Sequence, residues 1–85
     1  MSPEQCRAAR GWLGWSQQDL ASRASVAVST VRDFELGRRQ PIENNLKAMR
    51  GAIEDAGIRL LFGVDARAEG IAVSELISPT ATNTP

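Results

Sequence analysis

The stretch Trp15-Ser16-Gln17-Gln18-Asp19-Leu20-Ala21-Ser22-Arg23-Ala24-Ser25-Val26-Ala27-Val28-Ser29-Thr30-Val31-Arg32-Asp33-Phe34-Glu35-Leu36-Gly37-Arg38-Arg39-Gln40-Pro41 decides the fold. Ser16 is suited to cap a helix, and Asp19, three residues later, supplies a weaker variant of the capping box. Leu20, Ala21 and Ala24 then form an apolar side. A second start follows within a few residues, at Ala27-Val28-Ser29-Thr30, with Val31 and Phe34 facing inward at a spacing of three. Gly37 ends this second helix, and the basic pair Arg38-Arg39 and Pro41 come after it.

Two short helices with a tight connection describe a helix-turn-helix. Upstream, Ser2-Pro3-Glu4-Gln5 is a strong helix start: Ser2 caps, Pro3 fits the first helical position and Gln5 completes a capping box. Cys6, Ala9 and Leu13 recur at helical spacing, with Ala8 and Trp12 beside them, and Gly14 stops the run. Downstream, a fourth helix is expected from Glu43 or Asn44 to Ala56, with Ile42, Leu46, Met49 and Ile53 as its buried stripe and Gly57 as its stop. After Gly57 the period changes. Ile58-Arg59-Leu60-Leu61-Phe62 and Ile71-Ala72-Val73 read as paired strands around a polar segment containing Gly63 and Gly70. Leu76 and Ile77 extend the strands or begin a short helix. Ser78 to Pro85 is Thr/Pro-rich and reads as a flexible tail. The fold class is therefore mainly α, about four helices with a short C-terminal β segment. The chain divides into 1–57, 58–77 and 78–85.

Composition narrows the function. The 85 residues make one domain, with 42% hydrophobic and 24% charged residues, ordinary globular values. No apolar run is long enough for a transmembrane helix, and charges stand where a signal peptide needs an apolar stretch, so a cytoplasmic protein is expected. There is one cysteine and no histidine. That excludes an internal disulfide framework and removes the commonest acid–base residue and metal ligand. No nucleophile–base constellation is present, so an enzyme is not expected, nor is a cofactor or metal. The net charge of zero is uneven: residues 1–50 carry eight Lys/Arg against five acids, and residues 51–85 carry two Arg against five acids. A basic half suits a polyanion.

The residues Ser16-Gln17, Leu20-Ala21, Ser29-Thr30-Val31 and Phe34-Glu35-Leu36-Gly37-Arg38-Arg39-Gln40-Pro41 resemble the helix-turn-helix of the Cro/C1-type (Xre) family of phage and bacterial regulators. The likeness extends over roughly residues 3–57. It implies a lambda-repressor-like domain that binds double-stranded DNA, with helix 28–36 in the major groove.

Val28, Ser29, Arg32 and Asp33 fall outside the stripe set by Val31 and Phe34. Periodicity alone leaves them as a solvated face or as contacts; the resemblance makes them base contacts. Arg32 suits guanine O6 and N7, Val28 a thymine methyl, and Ser29 a base or phosphate. Asp33 suits cytosine N4, or holds Arg32 in place. The resemblance also implies DNA-backbone contacts from Ser16, Gln17, Arg38, Arg39 and Arg10, and an ion pair between Arg10 and Glu35. Two positions depart from the family. Ser25 stands where a glycine is usual in the turn, so it must accept a left-handed conformation or shift the turn. Ala27 stands where a Ser/Thr cap is usual. Trp12 and Trp15 are expected in or near the core, and Cys6 as a small buried hydrophobe.

One such domain reads only a few base pairs, so a homodimer on a (pseudo)palindromic site is expected. Ile58, Leu60, Leu61, Phe62, Ile71 and Val73 exceed what a lone hairpin buries, and are the expected dimerisation residues. The alternative reading is an antitoxin or antiactivator: a protein-interaction module that retains the helix-turn-helix and meets a protein partner through its acidic C-terminal segment.

Overall fold

The computed structural model describes residues 1–63 and 68–73. Its elements are α1 (Pro3–Leu13), α2 (Gln17–Ala24), α3 (Val28–Glu35), α4 (Glu43–Asp55), β1 (Ile58–Phe62) and β2 (Ala68–Val73). Leu76, Ile77 and the 78–85 tail lie outside the described residues.

Local chemistry accounts for the helix boundaries. The Ser2 hydroxyl accepts from the Gln5 backbone N–H, and Gln5 Oε1 accepts from Ser2 N–H, both at 3.0 Å. At α2 the Ser16 hydroxyl accepts from Asp19 N–H and the Asp19 carboxylate accepts from Ser16 N–H, both at 2.9 Å. Each box satisfies two donors that a helix start otherwise leaves unpaired. These two Ser16 groups hold the Asp19 carboxyl below the usual carboxylate range. Ser25 closes α2 with φ 58°, ψ 43°, the left-handed conformation a glycine would take more cheaply. The turn is kept in register and Ser25 absorbs the strain. Ala27 begins α3 with no side-chain cap. Gly37, at φ 74°, turns the chain away after α3.

The helices pack around Cys6, Ala9, Leu20, Ala21, Ala24, Val31, Phe34, Met49 and Ile53, to which the hairpin adds Ile58 and Leu60. β1 and β2 are antiparallel, pairing Ile58 with Val73, Leu60 with Ile71 and Leu61 with Gly70, with a bulge between Leu61 and Phe62. At that bulge the buried Gln5 amide donates to the Leu61 carbonyl at 2.8 Å and to the Gly70 carbonyl at 2.9 Å. One glutamine thus closes the α1 cap with its oxygen and ties the hairpin to α1 with its nitrogen. A bulge leaves ladder groups unpaired, and this side chain satisfies two of them.

Three side chains depart from their sequence reading. Trp12 is 65% exposed, not near the core, because Cys6 and Ala9 already define the inward side of α1. Trp15 is half-buried against the core and carries the Arg23 guanidinium 4.4 Å above its ring. Ile42 is 68% exposed. It is the N-cap of α4 and lies outside the helical phase that buries Met49 and Ile53. No helix among the described residues is long and apolar enough to cross a membrane.

Candidate nucleic-acid interface

α3 is fixed from behind by one carboxylate. Glu35 is 3% exposed. Its Oε2 accepts from Arg10 Nε at 2.7 Å and from Cys6 Sγ at 3.0 Å. Its Oε1 accepts from Arg10 Nη2 at 2.7 Å and from Gln17 Nε2 at 3.0 Å. Arg10 Nη1 donates to the Trp15 carbonyl at 2.9 Å, and Arg7 donates to the Glu35 backbone carbonyl. One side chain therefore gathers α1, the α1–α2 turn and the start of α2 onto the last turn of α3. Burial alone would raise the Glu35 pKa, but hydrogen bonds from Arg10, Cys6 and Gln17 outweigh it and hold the carboxyl below its ordinary range. The same bonds raise Arg10. Burial and the neighbouring carboxylate push the Cys6 thiol well up, so it stays protonated and donates.

The outward side of α3 is free. Ser29 and Arg32 are exposed, and Val28 and Asp33 half-buried. Arg38 and Arg39 are exposed, and their backbone N–H groups both donate to the Asp33 carbonyl, which winds the chain back at the end of α3. The ion pairs among the described residues are Arg7–Glu4, Arg10–Glu35 and Arg50–Glu54. Arg32, Arg38 and Arg39 are in none of them, and Asp33 does not pair with Arg32. Ser16 is exposed and Gln17 half-buried at the start of α2. Arg10 is turned inward, its side chain 18% exposed.

Sequence reading missed three polar neighbours of this face. A groove of about 190 Å3 runs beside α3, walled by Ser29, Thr30 and Asp33 on one side and by Arg39, Gln40, Ile42 and Asn45 on the other. Thr30, Gln40 and Asn45 carry no periodic signal; the loop after Gly37 brings them together. The exposed Ile42 also lies here.

The six residues expected at a dimer contact divide into two sets. Ile58 and Leu60 are buried in the chain's own core, and Ile71 packs against it. This corrects their assignment: they are spent within the monomer. Leu61, Phe62 and Val73 are 38%, 39% and 37% exposed. Most of the acidic C-terminal segment falls outside the described residues. Among the described residues no group of three or more His, Cys, Asp or Glu is placed to hold a metal ion.

A family model described as a helix-turn-helix matches residues 7–52, more than half of the chain. That span runs from α1, through the residues meeting at Glu35, to the body of α4. None of the curated proteins compared matches the chain.

Proposed function

The chain belongs to the Cro/C1-type helix-turn-helix family of DNA-binding regulators, and on that premise we propose that it binds a (pseudo)palindromic operator sequence-specifically as a homodimer, with α3 in the major groove. The observation that carries this reading is the two-sidedness of α3. Its inner side is locked through Glu35, while Val28, Ser29, Arg32 and Asp33 remain free to meet base edges. Free side chains on a rigidly held helix are what base readout needs.

Arg38 and Arg39 then meet the sugar–phosphate backbone. Gln17 and Ser16 do so at the start of α2, where the first backbone N–H groups of a helix favour an anion. The protein acts without a cofactor, in the cytoplasm. Selection of bound sequences from a random duplex library tests the reading. Recovery of a half-site repeated about one helical turn apart, 34–36 Å, supports it; recovery of no preferred sequence overturns it. The exposed Leu61, Phe62 and Val73 favour a protein contact at the hairpin, which we assign to a second copy of the chain. A different protein that co-purifies on this surface is the outcome that would favour the antitoxin or antiactivator reading.

A further inference from the structure

Gln17 faces two ways. Its Nε2 donates one hydrogen to Glu35 Oε1 at 3.0 Å. A primary amide nitrogen carries two hydrogens, and Gln17 is half-buried, so the second hydrogen remains for an outside acceptor. Glu35 belongs to α3, the helix proposed to read bases, and Gln17 to the opening turn of α2, proposed to meet a phosphate. Glu35 is saturated by Arg10, Cys6 and Gln17. A change in the strength or direction of any one of these bonds is therefore felt by the others.

We propose that Gln17 is a positioning residue that couples phosphate engagement at the start of α2 to the orientation of α3, through its hydrogen bond to the Glu35 carboxylate. The inference rests on the DNA-binding reading above and deepens it. Hydrogen bonds in a chain polarise one another. A phosphate oxygen that accepts the second amide hydrogen fixes the amide plane, and with it the bond to Glu35. Phosphate contact then does more than add affinity: it holds α3 in the pose from which Arg32 discriminates between bases. A glutamine that served only as a phosphate clasp would weaken all sequences equally when removed.

The test uses the full chain, Gln17→Met, and the operator found by selection. Methionine keeps the length and removes both hydrogen bonds, and the half-buried position keeps the fold. Coupling predicts an affinity loss of about tenfold and, in addition, a several-fold loss of discrimination at the base pair that Arg32 faces. It also predicts a spectroscopic signature. The Glu35 carboxyl carbon resonance of the wild type shifts when a non-specific duplex is added, and the shift is absent in Gln17→Met. The proposal is overturned if Gln17→Met keeps full discrimination, whatever its affinity, or if its Glu35 resonance responds as the wild type's does. A wild-type protein that shows no salt-dependent, selective duplex binding overturns the underlying reading instead, and the coupling with it.

Discussion

Arg10 grips Glu35 with two hydrogen bonds of 2.7 Å, one to each carboxylate oxygen, across 25 residues of sequence. The bidentate fork fixes direction as well as distance, and the rest of the site follows from it. Removing one member of such a buried pair leaves the other uncompensated. Arg10→Met is expected to lower unfolding free energy by about 3 kcal/mol, read from urea unfolding at pH 7. A loss under 1 kcal/mol would show that solvent reaches the pair and weakens it.

Acid should act through the same carboxylate. The Glu35 pKa is lowered in the folded chain, so its contribution is fully present above the unfolded value and is lost as pH falls through the folded one. The urea midpoint is expected to stay level from pH 7 to 5 and to fall below about pH 4.3, the ordinary range of a glutamate. Asp19, lowered by Ser16, acts in the same direction. If the midpoint stays level down to pH 3, these carboxylates are not held as the geometry implies.

The roles assigned to Arg32 and Arg38 separate by mutation. Arg32→Ala should cost roughly 1–3 kcal/mol and relax preference at one base pair. Arg38→Ala should weaken binding evenly and flatten the salt dependence by about one unit of slope. With about three phosphate contacts per subunit, the wild-type dimer should show log K against log salt falling with a slope on the order of −5. Unchanged preference and affinity in both variants would mean that a different helix enters the groove.

Hairpin substitutions should divide as the burial does. Ile58→Ala, in the core, is expected to lose about 2–4 kcal/mol of stability. Leu61→Lys with Phe62→Ser, both exposed, should leave stability within about 0.5 kcal/mol and convert a dimer to a monomer in sedimentation. A double variant that stays dimeric moves the contact off the hairpin. Truncation after Gly57 is the less informative experiment, because it also removes Ile58 and Leu60 from the core.

The two departures from the family pattern sit where stability is open to gain. Ser25→Gly relieves the left-handed serine, and Ala27→Ser supplies the missing cap of α3. Gains of up to about 1 kcal/mol and about 0.5–2 kcal/mol are expected in thermal unfolding. Loss of stability in Ser25→Gly would mean that the serine side chain makes a contact worth more than the strain.

Sequence alone determined the parts that depend on neighbours in the chain. Capping boxes, glycine stops and a spacing of three or four are local, so α1 to α4, the strained Ser25, the uncapped Ala27 and the outward side of α3 were all legible. The Arg10–Glu35 pairing was legible only through resemblance, since nothing within either helix points to a partner 25 residues away. Tertiary structure decided the rest. It alone showed that Glu35 also draws in Cys6 and Gln17, that Gln5 ties the hairpin to α1, and that Thr30, Gln40 and Asn45 line a groove with α3. It also took Ile58 and Leu60 into the core and left Trp12 and Ile42 outside. Hydrophobicity says that a side chain favours burial, but packing space is shared among elements distant in sequence. Which apolar residue fills that space, and which is left over, is settled only when all the elements meet.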